Sequence, residues 1–81
     1  MSFPTFRDTI ASYGIAKDDA EVIADCMVTK RVCSWVNTEP VTHEQVNKVN
    51  AFIAEHNIPI AVVVESIATR NKFIWEVKHR K

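Results

Sequence analysis

Cys26, Cys33, His43, His56 and His79 are the residues of this chain with the widest chemical repertoire. No two of them stand in a C-x-x-C, H-x-x-x-H or comparable ligand spacing, so neither a metal site nor a cofactor is expected. Nucleophilic catalysis needs a thiol or hydroxyl beside a base. Only Cys33 with His43 or His56 offers such a pair, and no local signature surrounds it. One Gly in 81 residues leaves no phosphate-cradling loop. A chain of this size also has little room for an oxyanion hole and a substrate cleft. The chain reads as non-enzymatic, and the two cysteines as small buried thiols. Were both on one helix, their spacing would put them roughly 10 Å apart along the axis, beyond disulfide reach. Asp18, Asp19, Glu21 and Asp25 form an acidic cluster. At a helix start such carboxylates suit the helix dipole, so a solvated face is expected rather than an acid–base pair.

Binding chemistry gathers at the other end. Arg70, Lys72, Lys78, His79, Arg80 and Lys81 stand there against Glu76. Trp and Arg are over-represented at interface hot spots, which makes Trp75, Lys78, His79, Arg80 and Lys81, with Trp35, the candidate partner-binding set. A strand holding Trp75 is expected at a sheet edge, where it accepts a partner strand or a second copy, so a homodimer stays open. The plainer reading is that both Trp residues fill a core and the basic end solubilises. The competing use of the segment is nucleic-acid binding through Arg70, Lys72, Lys78 and Arg80. Residues 43–70 read as helix, short turn, helix, and 72–79 as a following strand, which resembles the outline of a winged helix-turn-helix domain. The second of those helices, however, offers Ala61, Val62, Glu65, Ser66 and Thr69 outward. Only Arg70 there suits a phosphate or a guanine, and a DNA reader carries several such groups. A protein partner is favoured.

Composition sets the outer bounds. Ten Lys plus Arg balance ten Asp plus Glu, and the pI is near 6.8. A nucleic-acid coat or an acidic DNA mimic needs a one-signed field that this balance denies. Apolar residues at 47% and charged residues at 25% are ordinary for a globular chain, so one domain over 1–81 is expected. The opening residues Met1 to Thr5 show no basic region followed by an apolar one, and no signal peptide is expected. The longest apolar run, Ile58 to Val64, falls far short of the roughly 20 residues of a membrane span. Two cysteines are too few for a disulfide framework, which points to a reducing cytoplasm.

These side chains must be held by a scaffold built without Leu. Eleven Val and eight Ile supply the aliphatic bulk, and β-branching favours strands mildly. The punctuation is nevertheless helical. Phe3, Phe6, Ile10 and Tyr13 line one face of a helix that Ser2 can cap, Pro4 can enter and Gly14 can stop. Asp18 and Glu21 form a capping-box pattern before Val22, Ile23, Cys26 and Met27. Val32, Ser34 and Val36 alternate with Cys33 and Trp35 as a short strand, with a helix continuing to Asn37 as the competitor. Asn37 to Pro40 is a turn. Thr42 to Gln45 is a capping box in its usual form, and Val46, Val49, Phe52 and Ile53 give the stripe behind it, with Asn57 as terminator. Ile60, Val63, Val64 and Ile67 fit a further helix, although Ala61 to Val64 would equally suit a buried strand. Phe73, Trp75 and Val77 alternate as a strand that needs a partner.

The resulting expectation is an α+β fold, with an all-α fold as the alternative. It has about four short helices, over 3–13, 19–30, 43–56 and 59–69, and a small antiparallel pair of 31–36 with 72–79. Its function is expected to be binding another macromolecule. By analogy with short single-domain chains lacking catalytic parts, including those of phages and mobile elements, it is an accessory factor or inhibitor.

Overall fold

The computed structural model describes residues 3–67 and 71–80. Along them run α1 (Phe3–Ser12), α2 (Lys17–Thr29), β1 (Cys33–Asn37), α3 (His43–Glu55), β2 (Ile60–Ile67) and β3 (Lys72–His79). The strands form one antiparallel sheet in the order β1-β3-β2. The fold is therefore α+β, with three helices and a three-stranded sheet among the described residues.

The first two helices make a hairpin. Phe6 and Ile10 are the buried side of α1, and Gly14 turns the chain with φ +89°. A Cβ at Gly14 would stand 2.5 Å from Gln45 Nε2 and push that side chain aside, while the positive φ is what the turn requires of its glycine. The Ser2 cap lies outside the described residues. α2 starts two residues earlier than expected, with Ala16 at its N-cap and no side-chain capping bond. Asp18 is thus inside the helix, and the Asp18–Glu21 capping box does not form. The helix ends at Lys30, whose left-handed backbone (φ 58°) sends the chain back over the last turn.

α3 begins as its residues dictate. Thr42 Oγ1 accepts from the Gln45 N–H at 3.2 Å, and Gln45 Oε1 accepts from the Thr42 N–H at 2.9 Å. The same Gln45 donates to the Tyr13 carbonyl at 3.1 Å, which fastens this helix start to the α1–α2 turn. Asn57, at φ 57°, closes the helix.

The helix expected over 59–69 does not form among the described residues; 68 and 69 lie outside them. The stretch from Ile60 to Ile67 is a strand, not a fourth helix. Ile60 and Val62 are buried while Val63 is exposed, a period of two. Apolar Ala61, Val63 and Ile67 on the solvent side hid that alternation and left a false helical spacing. The β-branched run suits a strand, and the ladder to β3 decides the outcome. The pair expected between 31–36 and 72–79 is present as β1 with β3, shifted slightly to Cys33–Asn37, with Trp35 opposite Trp75.

The core joins Phe6, Ile10, Ile23, Met27, Val49, Phe52 and Ile53 of the helices to Ile60, Val62, Trp75 and Val77 of the sheet. Every buried strand residue lies on this inner face. Ser34, Val36, Val63, Glu65, Ile74, Glu76 and Lys78 form the outer face, and none of them is buried.

Candidate functional site

α2 lies along the inner face of β1 and is joined to it at both ends. At one end Asp19 is 1% exposed, and its Oδ1 accepts from Trp35 Nε1 and from Asn37 Nδ2, each at 2.9 Å. Asp19 is thus a buried acceptor and not part of the solvated face expected of the acidic cluster. At the other end Cys26 Sγ lies 2.6 Å from Cys33 Sγ. The expected separation of the two thiols assumed an unbroken helix, and the reversal at Lys30 removes it. Burial, reinforced by the neighbouring Cys33 sulfur, pushes the Cys26 thiol up to about 12.

The two edges of the sheet differ. On β2, Asn50 of α3 donates to the Val62 carbonyl at 2.9 Å and accepts from the Val62 N–H at 2.7 Å. Val62 therefore faces away from β3. The alternation of an antiparallel ladder then turns Val64 and Ser66 outward as well, and, across β3, turns Ser34 and Val36 outward from β1. The β2 edge is guarded by the Asn50 clamp and by Glu65 in mid-strand. A groove of about 440 Å³ between β2 and the start of α3 remains beside it. Among the described residues the β1 edge has no such guard. From Val32 to Asn37 it carries no charge and no Pro, the two usual devices against strand addition. Val36 is 55% exposed, Val32 53% and Val28 50%. Exposed Arg31 and Glu39 stand at the two ends of this strip.

The residues proposed from sequence do not form one surface. Trp35 and Trp75 do meet, stacked with ring centroids 5.5 Å apart, but on the inner face. Trp75 is 0% exposed, so it fills the core and cannot be the exposed anchor. Its strand is the centre of the sheet, not an edge, because β2 occupies the side that the expected fourth helix left open. Lys78 lies on the outer face, 3.5 Å from Glu76. His79 and Arg80 are exposed at the end of β3, where the Arg80 N–H donates to the Pro59 carbonyl at 2.8 Å. Lys81 lies outside the described residues.

The nucleic-acid set fares similarly. Arg70 is outside the described residues, and Lys72 and Lys78 sit at opposite ends of one β3 face with Glu76 between them. The helix-turn-helix outline is lost, since the segment that was to be the reading helix is β2 and Val62 is buried. His56 Nδ1 lies 2.9 Å from the Phe52 carbonyl, with its ring against Phe6 and Phe52. Cys33 has Cys26, not a histidine, as its close partner. Among the described residues no group of three or more His, Cys, Asp and Glu side chains could hold a metal ion, and no helix is long and apolar enough to cross a membrane.

The residue pattern alone did not assign the β1 edge or the thiol pair. A charge-free stretch between Arg31 and Glu39 was the available signal for the first. No protein-family model, curated protein or solved structure matches this chain.

Proposed function

We propose that this chain is a non-enzymatic protein-binding domain, an accessory factor or inhibitor, that takes an extended segment of a partner protein along the outer edge of β1. The observation that carries this reading is the unguarded edge itself. The outward main-chain groups of Ser34 and Val36 stand beside the exposed side chains of Val32 and Val36. An added strand gains affinity from main-chain hydrogen bonds and specificity from alternate side chains. Those on the outer face would meet valines, which suits apolar, β-branched residues. Arg31 at one end suits an acidic residue of the partner and Glu39 at the other a basic one, setting register and on-rate more than affinity. The non-enzymatic part rests on the sequence, which offers neither a phosphate loop nor a nucleophile–base signature.

The test is a library of displayed peptides selected on the immobilised domain, followed by titration of the winners into the labelled protein. Binding should shift the Ser34 and Val36 amides and slow their hydrogen exchange. Val36→Lys places a charge on the edge without touching the core, and should weaken binding roughly tenfold or more at an almost unchanged melting temperature. Equal affinity for the Lys variant would overturn the proposal. A concentration-dependent dimer that protects the same amides would assign the edge to a second copy instead.

A further inference from the structure

Beyond binding, we propose that Cys26 and Cys33 form an oxidisable dithiol, a site where hydrogen peroxide or a small disulfide such as oxidised glutathione joins α2 to β1. The geometry comes from the chain reversal. α2 stops at Thr29, Lys30 takes a left-handed backbone and donates its N–H to the Cys26 carbonyl at 2.7 Å, and three residues later β1 starts with Cys33. The two sulfurs then sit 2.6 Å apart, as free thiols. Little further movement separates this arrangement from the S–S bond of about 2.05 Å.

The two thiols are unequal in access. Cys26 is 2% exposed, whereas Cys33 is half-buried. A small oxidant therefore meets Cys33 first. Cys26, whose burial holds its proton on up to about 12, is shielded from bulk reagents and acts only from within.

With peroxide, the Cys33 sulfur attacks one oxygen and the O–O bond breaks. The departing hydroxide takes the thiol proton as water, leaving Cys33 as a sulfenic acid. The Cys26 sulfur then attacks the Cys33 sulfur. The S–S bond forms, the S–O bond breaks, and the hydroxyl leaves with the Cys26 proton as a second water. Two thiols and one peroxide thus give one disulfide and two waters. With a disulfide oxidant, Cys33 forms the mixed disulfide and releases one thiol, and Cys26 displaces the second. Because Cys26 waits in contact, the second step is intramolecular and outruns further oxidation of Cys33.

The experiment treats the reduced protein with stoichiometric peroxide and, separately, with oxidised glutathione. The intact mass should fall by about 2 Da, the loss of two hydrogens. Trypsin cuts after Lys30 and Arg31, between the two cysteines, so their peptides should stay joined until a reductant is added. The oxidised protein should remain monomeric and melt roughly 10 °C higher or more, as closing a short loop implies. Cys26→Ala, verified as folded by circular dichroism, should trap a sulfenic acid at Cys33 that reacts with dimedone. Sulfinic acid at Cys33, a persistent glutathione adduct, or disulfide-linked dimers of the wild type would each overturn the proposal. All three read-outs use the wild-type chain, so they decide it even if the Ala variant fails to fold.

Discussion

Replacing Asp19 with Ala removes one side chain and strands two donors. Trp35 Nε1 and Asn37 Nδ2 both point at Asp19 Oδ1, each at 2.9 Å, and the carboxyl group is almost wholly out of water. A hydrogen bond to a carboxylate contributes about 1.5–3 kcal/mol. The two bonds share one acceptor oxygen, and both donors belong to half-buried residues, so their joint contribution is taken at the low end, about 3 kcal/mol. For a domain of this length, total stability of about 4–12 kcal/mol is typical, so the loss is a large fraction of the whole. The melting temperature should fall by roughly 12–24 °C. Urea denaturation followed by tryptophan fluorescence measures the loss, because Trp35 donates to Asp19 and stacks on Trp75. Asp19→Asn keeps an acceptor oxygen of the same shape and should cost only about half as much. A double-mutant cycle with Trp35→Phe should return a coupling of about 1 kcal/mol. An Ala variant within about 0.5 kcal/mol of the wild type, or a coupling near zero, would refute the reasoning that α2 is held to β1 through this oxygen.

Three further outcomes are expected. Thr42→Ala should destabilise the domain by roughly 0.5–2 kcal/mol and Thr42→Ser by much less, measured by thermal melts, because only the hydroxyl caps α3. Asn50→Ala should cost about 2 kcal/mol and speed hydrogen exchange at the Val62 amide, since both main-chain groups of Val62 lose their side-chain partner. The reduced protein should weaken in alkali: the folded Cys26 thiol keeps its proton up to about 12, against an ordinary value of 9.0. The folded state therefore binds more protons than the unfolded one across that window, and stability falls as pH rises through it. Urea midpoints taken under reducing conditions should show this slope flattened in Cys26→Ala.

Legibility in the sequence followed the locality of the cause. α3 could be read because its cap, stripe and stop are all written within Thr42 to Asn57, and the structure uses each of them. The pairing of 31–36 with 72–79 was also legible, since both segments alternate and each needed a partner. β2 was not, because its solvent face is as apolar as its buried one and the deciding contact is the long-range ladder to β3. The start of α2 was misplaced for a related reason. Asp18 looks like a cap in isolation, but Asp19 is drawn inward by Trp35 and Asn37, which puts Asp18 inside the helix. The Cys26–Cys33 contact depends on a left-handed lysine, a residue type that carries no turn signal. The open edge of β1, on which the proposed binding rests, was hidden until the sheet order was known.

That sheet order bears on how the chain must be made. β1 and β2 never touch as strands: each pairs with β3 alone, and β3 is the last of the three to leave the ribosome. During synthesis the hairpin of α1 and α2 can form early, while two Val-bearing strands emerge with no ladder to join. Their sheet closes only when residues 72–79 slide between them, in one late step that inserts Trp75 and Val77 into the core. A translational pause or a cut before Lys72 would therefore leave both strands open to pairing with other nascent chains, and aggregation during synthesis is the failure that this topology risks.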